Sequence, residues 1–347
     1  MKKSMKCIYV IRMLSRRRLI LAITIGLIIF FFYVLRFESK SRTGVARKQK
    51  ARPKEINLEE LKNLTIKRHE VIGASNKQGE DFGFLMPKER FVVPNIAHFI
   101  WFTCHTFRFE NLISLLSVHR IMRADKIYFH TDCEPDGKLW QEARQLIPTL
   151  IVAHRTRPSV IFDKKLNPMW PEHSADIARL EILMETGGVF LDTDVIVVAP
   201  LEPLRYYDYV AGRSSDGYLS NGIILATKDS EFLRRFYKSY VEYENDCWDC
   251  NSVTKHHDLA VQNSALIHVE PTSLNTPSPD QWEQALLGKF DWKHDHFTIH
   301  VWFRKFRDGG KRKFTFTPQN IKLLDTSFGE MCRYIYFGNP DLVKPGF

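Results

Sequence analysis

The stretch HSADIARLEILMETGGVFLDTDVIVVAP, residues 173–200, decides how this chain is read. Ile177, Leu180 and Met184 keep the i, i+3, i+7 spacing of a helix with a buried face, and Ser174 is placed to cap its start. Asp176 and Arg179, three apart, share another face of the same helix. Gly187 supplies the left-handed residue that ends a helix, and Gly188 permits close approach of a neighbouring backbone. Val189-Phe190-Leu191 then starts a buried strand, and Val195-Ile196-Val197-Val198 continues the apolar run. Between them lie Asp192-Thr193-Asp194. Carboxylates inside an apolar run need a compensating partner, because an unpaired buried charge is costly. At i and i+2 of an extended chain both project from one face, the alternative being a strand terminus with exposed turn acids. The simplest site that rewards this is a hard divalent cation, Mg²⁺ or Mn²⁺, bound by oxygens and shared with a diphosphate. Such an ion neutralises charge on a diphosphate as the bond to it breaks.

Outward from this stretch, the chain alternates strands with helices. Apolar runs with strand character cover residues 96–102, 126–130 and 149–153, and helical spacing covers 111–122 and 137–147. This alternation predicts an α/β domain with a mostly parallel sheet, whose ligands bind beyond the carboxyl ends of the strands. No Gly-rich dinucleotide or Walker fingerprint interrupts the pattern.

The 347 residues carry a net charge of +10, which invites a nucleic-acid partner. Residues 1–54 hold 15 Lys and Arg against the single acid Glu38, so the remainder, with 35 basic and 39 acidic residues, is slightly acidic. A basic nucleic-acid-binding domain is disfavoured, and no nucleic acid is expected as a partner. Residues 19–35, LILAITIGLIIFFFYVL, are seventeen uncharged residues. As a helix they would extend about 26 Å, at the short end for a membrane crossing. Arg16, Arg17 and Arg18 abut their start, which puts residues 1–18 in the cytoplasm and everything after residue 35 across the membrane. No small-residue cleavage site follows, so the segment reads as an uncleaved signal-anchor rather than a signal peptide. Residues 36–90 are polar and charged with no sustained apolar period, the character of a stem. Asn63-Leu64-Thr65, the chain's one N-glycosylation sequon, falls there. Residues 91–347 then form the lumenal domain. Five of the six cysteines lie beyond the membrane segment, so at least one stays free or pairs between chains. Cys247-Trp248-Asp249-Cys250 has no second Cys pair to complete a zinc site and reads as a local or long-range structural bridge.

Ser174-Ala-Asp176-Ile-Ala-Arg179 followed by Gly187-Gly188-Val-Phe-Leu-Asp192-Thr-Asp194 resembles the sugar-binding region of glycosyltransferase family 32. That family includes α1,4-galactosyl-, α1,4-N-acetylglucosaminyl- and yeast initiating α1,6-mannosyltransferases. The matching core is about thirty residues, with looser similarity from the strand ending at Trp101 to His300-Val301-Trp302. The resemblance implies a GT-A-like, Rossmann-type fold, a nucleotide-sugar donor such as a UDP-sugar, a divalent metal, a type II Golgi membrane anchor and retention of anomeric configuration. It further implies that Asp194 binds the metal and that Asp192 contacts the metal shell or the donor ribose. Asp176 and Arg179 would hold donor sugar hydroxyls, or form only an i, i+3 ion pair. Trp101 would stack on the nucleotide base or serve the core. Ser220-Asn221-Gly222 resembles a small polar turn lining the sugar site. His300 and Trp302 belong to a C-terminal His-x-Trp strand, from which His300 would reach the metal or the diphosphate or remain a core histidine. The basic run at residues 304–313 could close over the diphosphate or form a solvated loop. The acceptor would be a glycan, glycolipid or glycoprotein.

Two other readings stay open on sequence. A metal-dependent phosphatase of the haloacid dehalogenase type also places DxD after an apolar strand, but expects Thr or Val where Ile196 stands. A non-catalytic sugar-binding relative would keep the cleft without turnover.

Overall fold

The computed structural model describes residues 91–277, 281–304 and 315–343. The expected cytoplasmic tail, membrane segment, stem and sequon lie outside the described residues, as does the basic run apart from Arg304. Among the described residues no helix is long and apolar enough to cross a membrane.

In chain order the elements are β1 (Ile96–Trp101), α1 (Phe109–Ser117), β2 (Lys126–Thr131), α2 (Lys138–Leu146) and β3 (Leu150–His154). A hairpin of β4 (Val160–Ile161) and β5 (Lys164–Lys165) leads to α3 (Glu172–Thr186), β6 (Gly188–Leu191) and β7 (Val195–Val197). Then come β8 (Tyr209–Arg213), β9 (Leu219–Ala226), α4 (Glu231–Lys238), α5 (Lys255–Gln262) and β10 (His268–Glu270). The described chain finishes with α6 (Trp282–Leu287), β11 (Thr298–His300) and α7 (Ser327–Phe337). Seven strands form one sheet in the order β10-β8-β9-β6-β1-β2-β3. Its pairs are parallel except those on either side of β9, which runs against both β6 and β8. The expected mixed, mostly parallel sheet with helices is therefore present. β7 leaves this sheet and pairs antiparallel with β11 as a separate ribbon.

Alternation along the central strands shows why the sheet is sandwiched. In β6, Val189 and Leu191 join one apolar cluster while Phe190 joins the other; in β9, Ile223 and Leu225 oppose Ile224 and Ala226 in the same way. Strands covered on both faces read as continuous apolar runs, and each fully buried Leu or Phe contributes about 1.5–3 kcal/mol. One face is covered by α1, α2 and α7 through residues such as Leu112, Trp140 and Phe328. The other is covered by α3 and α4 through Ile177, Leu180, Phe232 and Phe236. Gly187 ends α3 at φ 66°, as its sequence position predicts. Gly188 is required by contact: a Cβ there would stand 2.5 Å from the Ile96 carbonyl oxygen of β1.

One capping expectation is corrected. The helix begins at Glu172, two residues before Ser174, and the Ser174 hydroxyl donates instead to the Pro158 carbonyl at 2.7 Å. The segment just before β4 supplies that acceptor, so Ser174 sits in the first turn with its hydroxyl bonded away from the helix. His98 is structural: its Nε2–H donates to the Gly187 carbonyl (3.0 Å), so its Nδ1 accepts from His130 Nε2–H (3.1 Å). Burial holds both imidazoles neutral, lowering His98 to about 4 and His130 to about 3. Cys104 and Cys133 bridge the segments following β1 and β2, Cys247 and Cys250 close a local loop, and Cys332 is free and buried.

Candidate active site

The chemistry-bearing residues gather where the chain passes from β6 to β7, at the carboxyl end of a parallel strand. Asp192, Thr193 and Asp194 are not extended as the apolar context suggests. They form a turn in which the Val195 N–H donates to the Asp192 carbonyl at 3.0 Å. The two carboxylates are brought together by this turn rather than by the pleat of a strand. The turn is anchored on both sides: Asp192 N–H donates to the Gly222 carbonyl (2.8 Å), and Val301 N–H donates to the Asp194 carbonyl (3.0 Å). The first bond ties Asp192 to the main sheet through β9, and the second ties Asp194 to the ribbon.

α3 runs beneath this turn and delivers Asp176 and Arg179, both buried. Arg179 Nη2 lies 3.2 Å from Asp176 Oδ1 and 3.6 Å from Asp192 Oδ1. Its Nη1 donates to the Asn221 carbonyl, its Nε donates to the Ala175 carbonyl at 3.2 Å, and the guanidinium covers the Phe190 ring at 4.5 Å. Asn221 Nδ2 donates to Asp176 Oδ1 at 2.7 Å. Asp176 and Arg179 are thus parts of a buried network that also holds Asp192, beyond a surface i, i+3 pair. Ser220, Asn221 and Gly222 lie inside β9, where sequence placed a turn ahead of the strand. Antiparallel pairing of β9 with β6 carries this polar segment past Leu191 and directly against the DxD turn.

The ribbon brings in His300. Its Nε2 is 3.1 Å from Asp194 Oδ1, and its Nδ1 lies 3.0 Å from Asn275 Oδ1. An amide oxygen only accepts, so Nδ1 carries a proton, and the Nε2 face is left to Asp194 and whatever lies between them. Trp302 stacks on the His300 ring at 3.6 Å and donates its indole N–H to the Pro277 carbonyl at 2.8 Å. Trp302, expected in the site beside His300, here holds the ring of that histidine. Asp192, Asp194 and His300 each offer a ligand atom, all within 4.8 Å of one another. Gly222 lines the gap: a Cβ there would meet Asp192 Oδ2 at 2.7 Å and His300 Cε1 at 2.9 Å. Two carboxylates and an imidazole oriented through its other nitrogen are a donor set that fits a divalent cation.

The electrostatics agree. Burial pushes the Asp192 carboxyl up to about 6, against the lowering influence of Arg179 and His300 and with the Asp194 and Asp176 charges adding to the rise. Burial also acts to raise Asp194, but the His300 charge and hydrogen bond, with backbone donors, outweigh it and hold that carboxyl low. Three carboxylates face one guanidinium, so a bound dication would balance the pocket.

Trp101 ends β1 with 7% of its surface exposed, packed among Phe107, Phe129 and His105. The structure does not bring it into contact with the carboxylate cluster. Two contributors were missed in sequence. Asn275, 1% exposed, fixes the His300 tautomer, and the Pro277 carbonyl holds Trp302. Neither lies in a periodic segment, and only the tertiary path of the chain after β10 reveals their destination.

The family model described as the glycosyltransferase sugar-binding region containing a DXD motif matches residues 127–211. Glucan organizing enzyme 1 of Cryptococcus neoformans var. grubii is 25% identical over 281 residues, 72% of this chain and 72% of its own length. The human alpha-1,4-N-acetylglucosaminyltransferase is 34% identical over 76 residues, 22% of this chain and only 21% of that relative. Among solved structures, the galactosyltransferase LgtC, in complex with donor and acceptor sugar analogues, gives a TM-score of 0.35 at 13% identity, covering 72% of this chain and 98% of that one. The region that this family model matches holds the DXD turn and, on α3, Asp176 and Arg179, and these relatives support a glycosyltransferase activity for the chain.

Proposed function

We propose that the chain moves a hexose or N-acetylhexosamine from a nucleotide-diphosphate sugar, a UDP-sugar by preference, to a glycan, glycolipid or glycoprotein acceptor, with retention of configuration. The observation that carries this is the convergence of Asp176, Arg179, Asp192, Asp194 and His300 from one helix, one turn and one ribbon. Asp192, Asp194 and His300 Nε2 would hold a Mn²⁺ or Mg²⁺ ion, which when bound supplies positive charge to offset that on the departing diphosphate. Asp176 accepts hydrogen bonds from donor sugar hydroxyls. Arg179 keeps Asp176 and Asp192 in place and compensates their charge, so the pocket is organised before the donor arrives. Asn275 and Trp302 hold the His300 ring. A GT-A-like fold agrees with the mixed sheet. Residence in the Golgi membrane, through residues 19–35 as a type II anchor, completes the proposal and rests on the sequence of residues 1–90. The phosphatase alternative lacks the support that the family match gives to sugar transfer.

The test is release of UDP from a panel of UDP-sugars by the purified chain, with and without Mn²⁺. Asp194→Ala is expected to lower the rate by at least about 10²–10³-fold, the scale of losing one preorganised electrostatic contributor. Full activity of that variant at limiting metal refutes the assignment, and phosphate release from a monoester without UDP release points to the phosphatase. NMR of the first-formed product reads the anomeric outcome.

A further inference from the structure

Two loops beside the start of α3 hold large apolar side chains out in solvent and are tied to each other. Met169 is 79% exposed and Trp248 47%. Single exposed apolar residues are ordinary; these two sit on loops pinned together. Asn167 donates from Nδ2 to the Asn245 carbonyl at 2.8 Å and from its backbone N–H to the Tyr243 hydroxyl at 3.1 Å. The loop bearing Trp248 is closed by the Cys247–Cys250 bridge. It is closed again by the buried Asn251 side chain, which accepts from the Glu244 N–H (2.8 Å) and donates to the Glu244 carbonyl (2.7 Å). The loop is thus closed twice with the Trp248 side chain held out in solvent.

The Trp248 loop is linked to the site through the start of α3. His173, one turn before Asp176 on α3, donates from Nε2 to the Trp248 carbonyl (3.0 Å) and accepts at Nδ1 from the Tyr243 hydroxyl (2.7 Å). Its neighbour Glu172 pairs with Arg304, two residues beyond the Trp302 that stacks on His300.

We infer that Trp248, with Met169 on the loop tied to its own, is the platform on which the acceptor glycan lies. The inference rests on the transferase reading above. A pyranose ring has one face of C–H groups that suits a flat indole, and its hydroxyls need acceptors at the rim. Asp246 and Asp249 flank Trp248, both exposed. They provide those acceptors, and their charge opposes docking on an anionic lipid surface. Rigid presentation of the indole spares the ordering cost that a mobile loop would impose on binding.

The test uses the full chain, a UDP-sugar it hydrolyses and a panel of octyl glycosides as acceptor probes. Trp248→Ala is expected to raise the KM for the accepted glycoside about ten-fold while the donor KM stays within about two-fold. Trp248→Phe, which keeps a ring, restores most of the loss. Val261→Ala, an exposed apolar residue of α5, changes neither KM, and thermal unfolding confirms that all variants fold. An unchanged acceptor KM in Trp248→Ala overturns the inference, as does a wild-type chain that hydrolyses donor but accepts no glycoside. So does an effect of the substitution only on vesicle binding or self-association. Failure of the wild-type chain to hydrolyse any donor is a separate result, which sinks the transferase reading itself.

Discussion

Replacing Gly222 with Ala separates the site from the fold that carries it. The added methyl would stand 2.7 Å from Asp192 Oδ2 and 2.9 Å from His300 Cε1, whereas comfortable contact begins at about 3.5 Å. Each group must retreat by about 0.6–0.8 Å if the strand stays where it is. Both clashing atoms are in side chains, and the backbone bonds of β9 to β6 and β8 are untouched. The stability cost therefore belongs at the low end for overpacking, about 1 kcal/mol. Activity is another matter, because a displacement approaching 1 Å in groups that set reacting geometry costs about 10²-fold. The assay pairs the rate of UDP release at saturating Mn²⁺ with urea unfolding of the same sample. An Ala variant within two-fold of the wild-type rate refutes the claim that Asp192 and His300 converge on one ligand. A variant that fails to fold refutes the claim that the strain falls on side chains.

Arg179→Met leaves Asp176 and Asp192 without their buried counter-charge, and a broken buried pair costs about 3–5 kcal/mol; urea unfolding at neutral pH measures it, and a loss under 1 kcal/mol contradicts the network. His98 and His130 are neutral in the fold, with His98 lowered to about 4 and His130 to about 3, and both protonate near 6.5 when unfolded. Below pH 6.5 the unfolded chain binds more protons, so their stabilisation is full above 6.5 and lost as pH falls toward 4 and 3, about 3 kcal/mol for His98 alone. Unfolding free energies from pH 7.5 to 4.5 read this, and a flat profile contradicts the neutral pair. Opening the Cys104–Cys133 bridge by a double Ser substitution frees a loop with sequence separation 29 and should cost about 3–4 kcal/mol by chain entropy, checked by the shift in Tm.

Much of the core was legible because both faces of the sheet are covered. Residues 96–102, 126–130 and 149–153 carry apolar runs that only strands of that length and context satisfy, and they fold as β1, β2 and β3. Asp192 and Asp194 stood out because charge in apolar surroundings demands a partner, and Asp176 and Arg179 because their spacing puts them on one helix face within the stretch that carries the family resemblance. The turn at Asp192–Asp194 was legible only as an alternative, because flanking aliphatics suggest a continuing strand. In fact Leu191 and Val195 belong to different sheets, and the switch depends on a pairing with β11 far along the chain. For the same reason Asn221 and Gly222 looked like a turn: glycine and asparagine are poor strand formers, yet a site that needs an open gap and an amide donor overrides that preference. Ser174 showed the limit of capping rules, since a nearby carbonyl competed for its hydroxyl.

The ribbon holds Asp194 beside His300 across 106 residues of chain, with Val195 in register with His300. The interval between those two strands helps the ligand set at a few points only: Gly222 anchors Asp192, Asn275 orients His300 and the Pro277 carbonyl holds Trp302. Loops of that interval away from those points can change length and reshape which molecule is served while the cation grip stays as it is, so the clientele can diversify without the chemistry being relearned.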